Sequence, residues 1–295
     1  MDTVKILAIG DNVCDKYMSR GKMYPGGQSL NTSVYAAMQG AETAYLGKYG
    51  TDEVAAYNRK VLAELGVDDG HSRQFPGENG FAMVTLKNND RVFLGSNKGG
   101  VAKEYGYDFQ ESDIEYIKGF QLVYTNLNSY IEDDLPLLKE IGVPIAYDFS
   151  TRWTDEYLQK VGPYVDIAIM SCAHLSDAER VQEMKKAQAQ GIRLVLGTVG
   201  EAGSYVLYKD AIHYAPAVKA TSIKDTMGAG DSYFATFLTE MLRSSKTGAV
   251  IEGTDEEMAQ RLQTAMSKGA VFSAQMCGKE GAFGYGTPIQ GRTEL

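Results

Sequence analysis

The sequence predicts an α/β fold: a central, mostly parallel β-sheet flanked by helices on both faces, with a small β-sheet lid. Three observations carry this. Short apolar runs alternate with helical-period segments along most of the chain, the pattern of a parallel sheet covered on both faces. That rhythm breaks once, at about residues 75–100, where two strand-like runs follow each other without a helix between them. Late in the chain, Asp225-Thr226-Met227-Gly228-Ala229-Gly230-Asp231 opens an apolar run at helical spacing.

The elements follow in order. Val4 to Ile9 is an apolar run ending at Gly10, a buried strand, with Asp11, Asn12 and Asp15 beyond it. In parallel α/β sheets the carboxyl ends of strands are where ligands sit. Pro25-Gly26-Gly27-Gln28 is a glycine turn opening a helix through Leu30, Val34, Tyr35 and Met38, with Asn31 in its first turn. A strand at Ala44–Gly47 and a helix through Val54, Val61 and Leu65 come next. Gly80–Leu86, Asn88-Asn89-Asp90 and Arg91–Leu94 form a hairpin signal. It reads as an antiparallel flap joined by residues 14–24. Strands are then expected near 121–124, 144–149, 166–170 and 192–196, separated by helices at about 132–141, 155–162 and 175–190. Polar residues gather at strand ends again, as Asn126, Asn128 and Asp148. Gly197 to Ser204 is a glycine turn leading into an edge hairpin, and a last helix spans about 256–275.

Composition excludes several classes. The chain has 295 residues, is 44% hydrophobic and carries a formal charge of −9. An acidic balance argues against a nucleic-acid surface, which needs clustered Lys and Arg. No run approaches the ~18 apolar residues of a membrane span, so no membrane partner is expected. Cys14, Cys172 and Cys277 are odd in number and far apart, which points to a reducing, cytoplasmic setting. His71, His174 and His213 fit no zinc spacing. No Walker A loop is present, and no G-x-G-x-x-G follows the first strand.

The late glycine turn carries the chemistry. At a helix mouth, free N–H groups and the positive dipole end favour an anion. Asp231 in that first turn is out of place beside an anion, unless it takes a proton from a nucleophile attacking that anion. Phosphoryl transfer has this arrangement. A dipole-stabilising Asp at an ordinary helix start is the plain alternative.

Taken together, these motifs resemble the PfkB (ribokinase-like) carbohydrate kinases over nearly the full chain. Asp225–Asp231 matches the family's C-terminal signature, Gly26-Gly27 with Asn31 its N-terminal signature, and Thr198-Val199-Gly200-Glu201-Ala202-Gly203 its nucleotide turn. The resemblance implies a single ribokinase-like kinase domain over residues 1–295, with a lid from about 14–24 and 75–100. It implies Asp231 as catalytic base and the Gly228, Ala229 and Gly230 backbone as anion hole. Sugar contacts would come from Asp15, Gly26, Gly27 and Asn31. Thr198, Gly200 and Gly203 would lie along ATP. The lid of several members is also a dimer surface, so a homodimer through the lid is a candidate.

One departure stands out. The family often carries Asn-x-x-Glu, tied to magnesium and phosphate handling; here the equivalent stretch is Ser171-Cys172-Ala173-His174. No metal ligand is therefore assigned, although Mg²⁺ is expected with ATP, held by phosphates and water. Gly10-Asp11-Asn12-Val13-Cys14-Asp15, Asn89-Asp90-Arg91-Val92-Phe93 and Asp148-Phe149-Ser150 with Trp153 look most like the fructoselysine 6-kinases. Asp11, Asp15 and Arg91 would then complement the ammonium and carboxylate of a sugar-amine substrate. Kinases for fructose, ribose, 2-keto-3-deoxygluconate or a nucleoside remain as alternatives, as does a non-catalytic sugar- or nucleotide-binding regulator.

Overall fold

The computed structural model describes residues 3–87 and 90–294; the side chains of 86, 87, 90 and 91 lie outside that description. The first part of the chain forms β1 (Lys5–Gly10), β2 (Val13–Tyr17), β3 (Lys22–Gly26), α1 (Gln28–Met38), β4 (Glu42–Tyr49), α2 (Glu53–Glu64) and β5 (Arg73–Gln74). The lid strands β6 (Gly80–Lys87) and β7 (Asp90–Ser96) follow, then α3 (Val101–Glu104) and α4 (Glu111–Lys118). Alternation resumes with β8 (Leu122–Asn126), α5 (Leu135–Ile141), β9 (Ile145–Asp148), α6 (Asp155–Val161), β10 (Ile167–Ser171), α7 (Asp177–Ala189) and β11 (Leu194–Thr198). The chain closes with β12 (Ser204–Tyr208), β13 (Ala211–Ala215), α8 (Ala229–Arg243), α9 (Asp255–Met276) and β14 (Thr287–Pro288).

Nine strands form the large sheet in the order β13-β12-β11-β10-β9-β8-β1-β4-β5. Its pairings are parallel except at the β11–β12–β13 edge hairpin. The period-2 alternation of strand side chains divides the core. Ile6 and Ala8 face one cluster with Leu30, Val34, Phe234 and Met258; Leu7 and Ile9 face the other with Ile117, Leu135, Leu158 and Met184. Helices α1, α2, α8 and α9 thus cover one face and α4–α7 the other. Strand order reverses at β1, which has β4 on one side and β8 on the other. The crevice beyond its carboxyl end is the switch point where such sheets bind ligands.

The lid is a second sheet in the order β14-β3-β2-β6-β7. Two features depart from the sequence reading. The lid is mixed rather than antiparallel, because β2 and β6 run parallel, Val13 opposite Gly80 and Tyr17 opposite Val84. The lid also takes a strand from late in the chain, which the sequence reading did not expect: β14 pairs with β3. Asn88 and Asn89 of the expected hairpin turn lie outside the described residues. Helix α4, with a capping box between Gln110 and Asp113, was not expected. Among the described residues, no helix is long and apolar enough to cross a membrane.

Candidate active site

The site is built where three chain turns meet beyond the carboxyl end of β1. Helix α1 has no side-chain cap of its own; its N-cap is Gly27 at φ +104°. Asp11, just past β1, supplies the cap. Its Oδ2 accepts from Gln28 N (2.9 Å), and its Oδ1 accepts from Ser29 N (3.0 Å) and Asn126 Nδ2 (2.8 Å). A Cβ on Gly27 would lie 2.8 Å from the Asp11 carbonyl oxygen, so glycine is required on steric and conformational grounds. Asp11 is therefore committed mainly to holding this turn. Asp15, on β2, has an oxygen 2.4 Å from where a Gly26 Cβ would be, which places its carboxylate directly against that glycine.

The second turn is Asp225–Asp231. Gly228, at φ +71°, is the N-cap of α8. A Cβ there would meet the Tyr35 hydroxyl at 2.5 Å and Ala282 at 3.0 Å. Ala229 N donates to Thr226 O (3.2 Å), and Ser232 N closes the first turn on Gly228 O (2.8 Å). The Ala229 donor is thus already engaged, whereas the Gly228 and Gly230 donors are not used in these bonds. No atom lies within 4 Å of a Cβ built on Gly230, so the turn is open there. Asp225 is buried and braces the turn: Oδ1 accepts from Met227 N (3.1 Å), and Oδ2 from Gly281 N (3.2 Å) and the Tyr17 hydroxyl (2.6 Å). Tyr17 belongs to lid strand β2, so the lid is fastened to the anion turn.

Asn31 joins the two turns: its Nδ2 donates to Asp231 Oδ2 at 2.7 Å, across 200 residues of chain. Its Oδ1 is buried without a partner. Asp231 stays partly open to solvent yet lies deep among other groups. Desolvation, opposed by the Asn31 hydrogen bond and reinforced by the charges of Asp148, Asp11 and Asp15, pushes its pKa up to about 8. Asp148, at the end of β9, is pushed up to about 6 by burial, with Asp11 adding to the effect. Asp148 accepts from Ser150 N (2.7 Å) and from Gln28 Nε2 (2.8 Å).

The predicted sugar and anion residues therefore converge. The stretch expected to be the nucleotide turn lies beside them. Thr198 ends β11, and Gly200 at φ +54° begins a 3-10 turn over open space. Gly203 is needed where a Cβ would lie 2.3 Å from Ala215 O, a packing constraint of the edge hairpin. The adjoining Ser204 hydroxyl is 2.6 Å from that of Tyr233 on α8, which fixes the turn next to the anion helix. Arg91 lies on β7 opposite Leu86, and its side chain is outside the described residues.

Sequence reading missed the roles of Gln28, Asn126, Asn128, Asp148, Arg152, Tyr17 and Asp225. Strand-end polarity marked Asn126, Asn128 and Asp148 without showing what they touch. Nothing local marks the Tyr17–Asp225 contact. Residues 171–174 do not fit a Mg²⁺ site, which takes oxygen ligands. Ser171 N is bonded to Ser150 O, and the Cys172 thiol is buried, with its pKa pushed up to about 12. Among the described residues no group of three or more His, Cys, Asp or Glu is arranged to hold a metal.

Comparison with known proteins adds four findings. The family described as pfkB family carbohydrate kinase matches residues 3–286. Fructosamine kinase FrlD of Bacillus subtilis (strain 168) is 40% identical over 288 residues, covering 97% of this chain and 95% of its own. Fructoselysine 6-kinase of Escherichia coli (strain K12) is 33% identical over 236 residues, covering 80% and 88%. Among solved structures, a fructokinase with bound ATP from Xylella fastidiosa has a TM-score of 0.77 at 18% identity, covering 95% of this chain and 94% of its own. That likeness establishes the fold.

Proposed function

The chain belongs to the pfkB family of carbohydrate kinases, and we propose that it transfers the γ-phosphate of ATP to the 6-hydroxyl of a fructosamine, fructoselysine in the first instance. The observation that carries this is the Asn31–Asp231 bond of 2.7 Å, which sets the base of the anion turn beside the sugar turn. The substrate class is supported by the 40% identity to a fructosamine kinase over nearly the whole length of both chains.

The reaction assigns each part a task. The sugar 6-hydroxyl oxygen attacks the γ-phosphorus, and a new P–O bond forms as the bond to the β,γ-bridging oxygen breaks. The electron pair leaves with ADP, and the hydroxyl proton passes to Asp231. A base with a pKa of about 8 is well matched to that transfer near neutral pH. Gly228 and Gly230 N–H groups at the mouth of α8 meet the charge developing on the phosphoryl oxygens, with Ala229 holding the turn's shape. Asp15, Gly26, Gly27 and Asn31 hold sugar hydroxyls, and Asp11 anchors their turn. Thr198, Gly200 and Gly203 line ATP, and Arg91, on lid strand β7, is assigned to the substrate on the resemblance alone. Mg²⁺ accompanies ATP through phosphates and water, with no protein ligand assigned. The chain works in the cytoplasm as a dimer joined through the lid. Exposed Val92, Phe93 and Leu94 on the edge strand β7 support that interface.

A coupled ADP-release assay tests the function. Fructoselysine should outperform fructose, ribose, 2-keto-3-deoxygluconate and nucleosides; higher kcat/KM with any unconjugated sugar would refute the substrate. Asp231→Asn should lower kcat by about 10²–10⁴-fold with ATP affinity retained. Near-normal turnover would remove Asp231 from the mechanism.

A further inference from the structure

A chain of hydrogen bonds leads away from the sugar site. Arg152 Nη2 donates to Asn128 Oδ1. Asn128 Nδ2 donates to Gln28 Oε1 (2.6 Å), and Gln28 Nε2 donates to Asp148 Oδ2 (2.8 Å). Every donor points the same way, from a guanidinium at one end to a carboxylate at the other. Either amide turned over would set oxygen against oxygen or NH₂ against NH₂, so the direction is fixed by the two charged ends. The backbone of Asn128 is held in turn, since its N donates to Asn126 Oδ1 (2.8 Å).

The ends of this chain lack charged partners. Asp148 is only 7% exposed, and its hydrogen bonds come from the neutral Gln28 side chain and Ser150 N. A buried carboxylate without a cation is costly. Arg152 is exposed, and among the described residues it forms no ion pair with a carboxylate. Ser150, between them, sits at φ +53°, a left-handed conformation rare for a side-chain-bearing residue.

We propose that Asp148 and Arg152, spaced by Gln28 and Asn128, form a subsite for the zwitterionic amino-acid arm of a fructosamine: the C1 ammonium at Asp148 and the α-carboxylate at Arg152. It rests on the fructosamine reading of the site. Substrate geometry supports it. A ketose with a free 6-hydroxyl is furanose or open-chain, and in both C1 and C6 are the two ends of the carbon chain. With the 6-hydroxyl at Asp231, the arm leaves from the other end. Asp148 is the nearer relay member, since its charge acts on Asp231. Arg152 is the outer one, exposed and two amides further along the chain of bonds. A guanidinium is the side chain best shaped to take a carboxylate by two parallel bonds.

The test compares four sugars with the full-length protein: fructose linked to the ε-amine of lysine, fructose linked to an α-amine, fructose linked to a diamine without carboxylate, and free fructose. The carboxylate-bearing conjugate that fits should show a KM about tenfold or more below that of the diamine conjugate. In Arg152→Ala this ratio should collapse to near one while kcat moves less than about twofold, and Arg152→Lys should restore part of it. The two linkages show whether the α- or ε-amine carries the sugar. An equal KM increase for conjugates with and without carboxylate would overturn the subsite while leaving the kinase reading intact. ADP release from a free sugar but from no conjugate would overturn the fructosamine reading, and the subsite with it.

Discussion

Replacing Asp231 with Asn should stabilise the ligand-free protein, and the gain should grow with pH. The carboxyl has a folded-state pKa of about 8 against ~3.9 in an unfolded chain. The folded state therefore binds the proton more tightly, and the wild type loses stability as pH rises from about 4 to about 8. The Asn variant carries no such proton. Linkage puts the wild-type penalty at about 1–2 kcal/mol at pH 5 and about 5 kcal/mol at pH 8. Solvent reaching a partly open carboxyl reduces both, so the gap should widen by about 2–3 kcal/mol across that interval. Asn keeps an oxygen that can accept from Asn31, so the 2.7 Å contact need not be lost. Urea midpoints at pH 5, 6.5 and 8, without nucleotide or sugar, measure the effect. Equal midpoint differences at all three pH values, or a variant less stable than wild type at pH 8, would refute the raised pKa.

The remaining predictions are briefer. In the wild type, kcat/KM should rise with pH through an apparent pKa near the Asp231 value of about 8, since the base must be ionised. Asp148→Asn should move that limb to lower pH, because it removes a like charge, and an unmoved limb would exclude the coupling. Gly228→Ala should cost about 1–2 kcal/mol for the left-handed backbone alone, plus the collision with Tyr35. Steady-state kinetics should show kcat falling more than tenfold, and an undisturbed kcat would exclude the Gly228 turn as anion hole. Tyr17→Phe leaves buried Asp225 without its hydroxyl donor and should lower unfolding free energy by about 1–3 kcal/mol in denaturant titrations. Phe93→Asp should convert a lid-joined dimer to monomer in light scattering and abolish any dependence of the unfolding midpoint on protein concentration; an unchanged mass would refute the lid interface.

The sheet was legible because its strands are buried on both faces and read as continuous apolar runs, from Lys5–Gly10 to Leu194–Thr198. The two site turns were legible because positive φ at Gly27 and Gly228 demands glycine, which leaves a mark in the sequence. The lid's parallel β2–β6 pairing was not, since no local signal states which partner a strand will meet across 60 residues. Helix α4 was hidden by its charge: Glu-Ser-Asp-Ile-Glu-Tyr-Ile-Lys buries only Asp113 and Ile117. The network of Gln28, Asn128, Asp148 and Arg152 was hidden for another reason. Gln28, Asn128 and Arg152 are ordinary polar residues, and their meaning lies in donor direction and in proximity that only the folded chain provides.

The return of the tail to the lid has a consequence for how the molecule is assembled. Lys16 Nζ, buried within the lid, donates to Arg292 O at 2.7 Å across 276 residues, and Tyr24 donates to Glu280 Oε2 at 2.9 Å. Lid strands made early thus wait for residues 280–292, made much later, before their polar groups and edge are satisfied. During translation the large sheet can form around β1 while the lid stays incomplete. Contacts of such long sequence separation are slow to close, so the lid should be the last part to acquire hydrogen-exchange protection during refolding. Substitutions within residues 280–292 would act on the lid first, and through Tyr17 and Asp225 on the Asp225–Asp231 turn.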